Sequence, residues 1–593
     1  MKKIIDLLFS AAASDKFWYC FIFAVTFAVF APALAGRELL SDSVLYFLNM
    51  RAIGASLKNC FEPVLGLHTP LTGLSLYLNY LTGGEEHFIL HARLTNILLH
   101  CGAVLLLFTL LRQLRLGEKL LPPAWAGVTA LIFAIHPQRV ESVVWIAERK
   151  DSLAMCFGLA ALWFFFLAMK KNKVSILSVL FLILSIAAKP MWLFFFVPAA
   201  ALVWYHFHSF ELKPFLKFLW PSMAVTAGTL AMHFANVSNA LQSTLEDKTA
   251  LPLLLKFEII CYNYGNYFLK TFWPGELMPL YPFYAPEGVK RLIALLPFAF
   301  LLFSFFLYKK CRPLFWHAAL PLMVCYIASL LPVAGFVRVG NADFADRYSY
   351  MPSLFLLTGA MFALAFCVEK FPAVQKHLTA AVAAYSTVLV VLTCFYVPIW
   401  NDPQEMHEYS QRPYIPNPSA AIVHAVELYE QRDFDGMFKY LNTRIPERPH
   451  YTEATNHMIR LFKISATGLA FIKYGRTEEG IRCLNIIYSI KGNGVIGSFP
   501  LNFLHELFNV GANYYLKQKQ DPAAAAAIYN GGALLFQHQS VQHGFYYNGL
   551  AAMVLKDYDR AMACFAQCLV HSPGEPGYLK KYKEAEKLKR EKK

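Results

Sequence analysis

Over residues 1–400 the apolar residues fall in blocks, and short polar stretches separate the blocks. The blocks are about 18–25 residues long, which is the helix length needed to cross a hydrocarbon core. They predict about eleven membrane-spanning helices, at 17–36, 89–111, 121–136, 151–169, 174–189, 191–207, 218–235, 290–308, 315–333, 352–368 and 377–399. Residues 251–275 are nearly as apolar but carry Lys256, Glu258, Asn263, Asn266 and Lys270, a mixture that suits a helix lying in the outer interface. After Trp400 the pattern changes: residues 403–593 are polar and helical in period, with no run of span length. The expectation is an all-α chain in two domains, a polytopic membrane bundle over 1–400 and a soluble helical domain over 401–593.

Within the second domain, 542–575 carries Gly549, Tyr558, Ala561, Phe565 and Pro573 at the spacing of a tetratricopeptide repeat. Gly511 and Ala523 repeat part of that pattern, and 418–449 and 452–490 read as degenerate hairpins. Stacked hairpins build an α-solenoid, whose concave face commonly takes a peptide or partner protein; a rigid spacer is the plainer alternative.

Composition agrees with the hydropathy pattern. Hydrophobic residues make up 57% of the 593, too many for an ordinary soluble protein. The net charge of +15 does not signal nucleic acid, because much of it lies in short inter-span loops. Lys2/Lys3, Arg112/Arg115/Lys119, Lys170/Lys171/Lys173, Lys213/Lys217, Lys309/Lys310/Arg312 and Lys370/Lys376 fall on one side, which the positive-inside rule makes cytoplasmic. An odd span count then puts the C-terminal domain on the far side, the periplasm if the membrane is a bacterial inner membrane. The run Phe17–Ala35 is span-length and is read as a retained first helix. Most of the 12 cysteines lie in predicted spans, and none shows metal-ligand spacing.

Ionisable residues beside spans need a physical reason, and three outer clusters concentrate them. Arg37, Glu38 and Asp42 follow the first span, with His68-Thr69-Pro70 downstream. His136-Pro-Gln-Arg139-Val-Glu141 leads to Glu148-Arg149-Lys150-Asp151. Arg338, Asp343, Asp346, Arg347 and Tyr348 precede a span, and Lys189 adds a cation before Pro190. A carboxylate such as Asp42 can take the proton of an attacking hydroxyl, and Arg or Lys at a membrane surface suits a lipid phosphate. Solvent exposure or helix capping is the bland reading of a loop Asp. His136 and Glu141 are two candidate metal ligands, fewer than a site needs; a divalent ion remains an open option and no other cofactor is expected.

The stretches HPQRVESVVWIAERKDSLA and LPVAGFVRVGNADFADRYSYMPS resemble hallmark loops of the transmembrane-and-tetratricopeptide-repeat family, relatives of protein O-mannosyltransferases in the GT-C superfamily. HTPLTGLSLYLNYLTG with HARLTNILLH is similar to the family's first outer loop and second span, and FWPGELMPLYP to its interfacial segment. The chain reads as a bacterial-type member. The resemblance implies an inverting transferase of GT-C fold that passes a sugar from a polyprenyl-phosphate donor to a Ser or Thr hydroxyl outside the cytoplasm.

Carried over by position, Asp42 matches the presumed base, standing alone between Ser41 and Ser43 where the family often has consecutive acids. His68 matches the His-Pro motif despite the intervening Thr69. Glu141, Arg149 and Asp151 match the second outer loop, and Arg347 and Tyr348 the third. On this reading Arg139, Arg149, Lys189, Arg347 and Tyr348 hold the donor phosphate, while His68, Glu141, Asp151 and Asp346 serve the acceptor or support those cations. The implied partners are the lipid-linked sugar, membrane lipid, and a protein or peptide acceptor held by the repeats, with no nucleic acid. Rival expectations are a GT-C transferase acting on lipid A, glycolipid or polysaccharide, and a non-enzymatic membrane scaffold.

Overall fold

The computed structural model describes residues 14–36, 53–61 except 55, 68–116, 119–207, 212–249, 253–279, 281, 288–310, 312, 315–335 and 344–410. Beyond these it describes 425, 428, 433–444, 453–489, 498–536, 541–571 and 576–592. It divides into two compact units, one of Met1–Asn236, Leu251–Tyr281 and Pro286–Ser410, the other of Val237–Ala250, Pro282–Ala285 and Gln411–Lys593.

The first unit is helical: α1 (Asp15–Phe30), α2 (Pro70–Leu111), α3 (Pro123–Ala134), α4 (Val140–Val144), α5 (Arg149–Lys170), α6 (Ile176–Ala188), α7 (Phe196–Phe207), α8 (Leu212–Thr249, of which the part from Val237 belongs to the second unit), α9 (Leu253–Phe272), α10 (Leu296–Lys310), α11 (Leu320–Leu330), α12 (Pro352–Lys370), α13 (Gln375–Tyr396) and α14 (Pro403–Ser410). A two-residue hairpin, Arg115–Leu116 against Lys119–Leu120, turns the chain between α2 and α3.

Among the described residues five helical stretches are long and apolar enough to cross a membrane: Asp15–Ala35, Pro70–Leu111, Ile146–Lys170, Pro352–Lys370 and Pro372–Trp400. The chain is thus a membrane protein built from helices. The other six of the eleven expected windows also carry helix, but those helices are too short or too polar to qualify by the same measure. Proline shortens two of them. Pro137 and Pro190 disfavour helix at the residue before, and His136 and Lys189 are accordingly extended, at φ −71°, ψ 130° and φ −162°, ψ 136°.

Within α2 the chain breaks at Gly84, whose φ of 60° and ψ of −162° lie in a region essentially restricted to glycine. The two arms fold against each other there: Asn79 Nδ2 donates to Thr95 Oγ1 at 2.9 Å, and Thr82 Oγ1 meets His91 Nδ1 at 3.1 Å. The 89–111 window therefore corresponds to the second arm. The core lies along α2, α3, α5 and α12, with α5 sandwiched between α2 and α6. In contrast, α13 exposes Val388, Val391, Leu392 and Phe395, a stripe at helical spacing that water penalises and hydrocarbon accepts.

The second unit contains α15 (Phe434–Arg444), α16 (Glu453–Lys473), α17 (Thr477–Ser489), α18 (Ser498–Lys517), α19 (Pro522–Phe536), α20 (Val541–Val554), α21 (Tyr558–His571) and α22 (Pro576–Lys592). Successive helices pack as neighbours around Leu469, Leu484, Phe508, Tyr547, Ala561 and Phe565. Phe565 rests on Gly549, where an added Cβ would come 2.6 Å from the ring. The unit is thus helical, with each helix packed on the next in sequence. The expected 418–449 hairpin falls largely outside the described residues, as does Pro573.

Candidate functional site

The stretch HPQRVESVVWIAERKDSLA is buried rather than looped out into solvent. From Phe133 to Met155 every residue except Trp145 is buried, including Gln138, Arg139, Glu141, Glu148, Arg149, Lys150 and Asp151. Charges removed from water must be paired or hydrogen-bonded, and these are one or the other.

The Glu141 carboxylate accepts the backbone N–H of Arg347 at 2.8 Å and a second hydrogen bond from its guanidinium. Arg347 Nε also approaches Glu148 at 3.4 Å. Glu148 further pairs with Lys150 at 3.1 Å and Lys189 at 3.2 Å. Lys189 reaches on to Asp151, whose other oxygen accepts Ser142 Oγ at 3.0 Å. The result is a network of three carboxylates and three cations, in which each cation meets at least one carboxylate.

Local backbone explains how Lys189 joins it. The Lys189-Pro190 step ends α6 and leaves Lys189 extended, so its side chain leaves the helix and meets the start of α5. Burial pushes the Glu141 carboxyl up, to about 7, against the opposing pull of Arg347. Burial alone would lower the Lys189 ammonium; Asp151 and Glu148 outweigh it and hold the group above its usual value. The Tyr348 ring lies under both outer cations, 4.9 Å from the Arg347 guanidinium and 6.0 Å from Lys189 Nζ. Of the network cations, Lys189 and Arg347 keep 19% and 16% of their side chains exposed, against 5% for Lys150.

Arg149 and Arg139 are used differently. Arg149 donates to Asn96 Oδ1, to Ser75 Oγ at 2.7 Å, to Asn79 Oδ1 at 2.8 Å and to the Ala92 carbonyl at 2.7 Å. Arg139 lies over Phe133 and Tyr350, 5.2 and 5.1 Å from the ring centres, and donates to Ser349 Oγ at 2.6 Å. Both are fully buried, and their hydrogen bonds end on neutral acceptors in the surrounding walls.

Asp346 is buried too. Its Oδ2 accepts the Tyr281 hydroxyl at 2.8 Å, and that hydroxyl accepts Lys270 Nζ at 2.6 Å. Burial raises the Asp346 carboxyl, with Lys270 and Tyr281 opposing. His68 is exposed, its Nδ1 3.2 Å from the Phe61 carbonyl, and among the described residues it makes no hydrogen bond or ion pair with the network.

Asp42 lies outside the described residues, as do Arg37, Glu38, Arg338 and Asp343. The two candidate metal ligands are occupied. His136 Nε2 meets the Thr271 carbonyl at 3.1 Å and Nδ1 accepts the Gln138 N–H at 3.3 Å, while both Glu141 oxygens hold Arg347. Among the described residues no group of three or more His, Cys, Asp or Glu is placed to hold a metal. Glu148 and Lys150 were legible only as members of a charged run; nothing in the sequence marks Glu148 as the residue three cations share.

The chain is similar to proteins named protein O-mannosyl-transferases. It is 38% identical over 100 residues to Protein O-mannosyl-transferase Tmtc1 of Drosophila melanogaster, covering 16% of this chain and 11% of that one. It is 24% identical over 335 residues to Protein O-mannosyl-transferase F38B6.6 of Caenorhabditis elegans, covering 55% and 45%. It is 37% identical over 94 residues to the mouse TMTC1 protein, covering 16% and 9%. The chain thus spans less than half the length of these relatives. They are animal proteins and give no support to the bacterial-type placement. No protein-family model matches the chain, and no solved structure matches it.

Proposed function

We propose that the chain is an integral membrane glycosyltransferase that moves a sugar from a polyprenyl-phosphate donor to a Ser or Thr hydroxyl of protein, with inversion, on the extracytoplasmic face. The observation that carries this reading is the buried ion network that leaves Lys189 and Arg347 partly exposed over Tyr348. A phosphate oxygen accepts charge-assisted hydrogen bonds from such groups. Cations fixed in advance stabilise the charge that grows on a departing phosphate without reorganising during the reaction.

In this mechanism Asp42 takes the acceptor's hydroxyl proton. The freed oxygen attacks the anomeric carbon, the bond from that carbon to the phosphate oxygen breaks, and its electron pair leaves with polyprenyl phosphate. Glu141 and Asp151 orient Arg347 and Lys189, Tyr348 backs both, and Arg139 and Arg149 keep the walls rigid. His68 serves the acceptor, and Asp346, buried just before Arg347, supports the cations. The tetratricopeptide-like hairpins of 401–593 capture the acceptor polypeptide, and the membrane is a cell membrane with the N-terminus cytoplasmic. The names of the animal relatives point to the same class of chemistry.

Asp42→Asn in purified protein tests the base, using a polyprenyl-phosphate sugar and an acceptor peptide. Loss of a general base lowers the rate by roughly 10²–10⁴-fold; transfer at near the unmodified rate overturns the role.

A further inference from the structure

The C-terminal half of α5 borders an open cavity of about 750 Å³ in the membrane unit, walled otherwise by the end of α2 and by α7, α11 and α12. The volume lies within the roughly 300–1,000 Å³ of ordinary ligand pockets. Leucine, phenylalanine, proline and alanine make up most of the lining, and Cys325 acts there as a small apolar residue. Two lining side chains carry a hydroxyl, and both spend it on backbone. Thr358 Oγ1 donates to the Leu354 carbonyl at 2.7 Å. Tyr205 Oη donates to the Arg115 carbonyl at 3.1 Å and accepts the Arg115 N–H. Such a wall gives water little to bond and favours hydrocarbon.

At one end of the cavity the apolar lining gives way to cations. Lys170 Nζ lies 4.7 Å from the ring centre of Phe166, a lining residue, and donates to Gln113 Oε1 at 2.9 Å. Both of these partners are neutral. Arg115 follows the lining residue Leu114, is held by Tyr205, and its charge acts on Lys170. Both cations are exposed. Arg112, by contrast, is paired with Asp15. Trp204, next to Tyr205, stacks on Trp316 with ring centres 5.9 Å apart, and rings of this amphipathic kind collect at headgroup level.

This rim stands at the far end of α5 from the ion network. Asp151 opens the helix and Lys170 closes it. At 1.5 Å per residue they are roughly 28 Å apart, close to the roughly 30 Å of a hydrocarbon core. A lipid whose phosphate is held by Lys189 and Arg347 cannot place that phosphate here. The rim is also the side that the loop cations assign to the cytoplasm, where the leaflet is rich in anionic lipid.

We propose that the cavity binds an acyl chain of an anionic phospholipid whose phosphate rests on Lys170 and Arg115. The apolar wall holds the chain, and the two cations select a negative headgroup over a zwitterionic one. The site goes beyond the transferase reading and needs only that the chain is a membrane protein.

The test titrates the full chain, delipidated in detergent, with dioleoyl phosphatidylglycerol and dioleoyl phosphatidylcholine, and reads the affinity of the tightest site by native mass spectrometry. It compares the unmodified protein, the double variant Arg115→Gln/Lys170→Gln, and Ala201→Phe, which puts a ring into the cavity wall. The expected result is one phosphatidylglycerol bound roughly tenfold more tightly than phosphatidylcholine. The double variant is expected to lose that preference, and Ala201→Phe to weaken both lipids roughly tenfold. Equal affinity for the two lipids, or a preference unchanged in the double variant, overturns the headgroup site. Unchanged affinity in folded Ala201→Phe assigns the lipid to surface charge alone and overturns the cavity as its seat. Tighter binding of polyprenyl phosphate than of phosphatidylglycerol, lost in Ala201→Phe, gives the cavity to the donor's chain and overturns the phospholipid as occupant. The double variant changes exposed side chains only, so it answers even where Ala201→Phe fails to fold.

Discussion

Arg149 donates to Ser75, Asn79, Ala92 and Asn96, and all four acceptors belong to α2. Two precede Gly84 and two follow it, so a single guanidinium fastens both arms of the broken helix to the start of α5. A planar fork with five donors can do this, and an ammonium, with three donors at one point, cannot. Arg149→Lys keeps the charge and loses the span of the fork. It is expected to destabilise the membrane unit by about 3 kcal/mol, read as a thermal midpoint several degrees lower in detergent. A phosphate ligand in place of a brace would behave otherwise: donor affinity would fall while the midpoint held. Arg139 presents the same distinction, since its hydrogen bonds end on Ser349 and its faces on Phe133 and Tyr350. Sequence showed these arginines as charges next to a span, where an anion is the natural partner. Their neutral acceptors lie 53–74 positions away for Arg149 and 210 away for Arg139, and no local pattern announces contacts at that separation.

At the level of elements, hydropathy located the helices well, because a block of apolar residues bounded by charge leaves few alternatives. The break in α2 was less legible. Gly83-Gly84 sits inside a pattern that reads first as outer loop and then as span, and only the backbone at Gly84 shows that the two are one reversal. Nothing lies within 4 Å of a Cβ built there, so Gly84→Ala tests backbone strain alone, with an expected cost of about 1–3 kcal/mol. Gly102→Ala is the matched control. It lies in regular helix with Cys156 Sγ at an ordinary 3.6 Å, and is expected to be neutral or to stabilise by up to about 1 kcal/mol. Equal losses in the two variants would mean that α2 tolerates alanine at the break. The X-Pro steps at His136 and Lys189 were visible as sequence; that the second of them aims Lys189 at Asp151 was not, because the aim depends on where α5 packs.

For the whole molecule, the boundary between the units bears on how the acceptor reading is tested. Met406 and Ser410 are 5% and 0% exposed, and Tyr409 packs on Tyr396, so α14 belongs with the membrane unit. A truncation that removes 411–593 leaves it intact, whereas one that removes 403–593 strips buried side chains and confounds loss of folding with loss of function. With the shorter cut, binding of the lipid-linked sugar is expected to persist and transfer to protein acceptors to fall at least tenfold. Undiminished transfer to protein would remove the hairpins from acceptor capture.

The balance of the ion network has a further consequence. Three cations face three carboxylates, one of which, Glu141, burial raises to about 7, so near neutral pH the site at rest carries between zero and one net positive charge. A sugar phosphodiester adds one negative charge on arrival, and the phosphate monoester left after transfer carries up to two. On the proposed reading Lys189 and Arg347 would attract the spent lipid more strongly than the fresh one, with the carboxylates beside them moderating that attraction. If the proposed chemistry holds, release of the spent carrier is the step expected to limit turnover, and Glu148, shared by three cations, is the residue whose loss is expected to slow it.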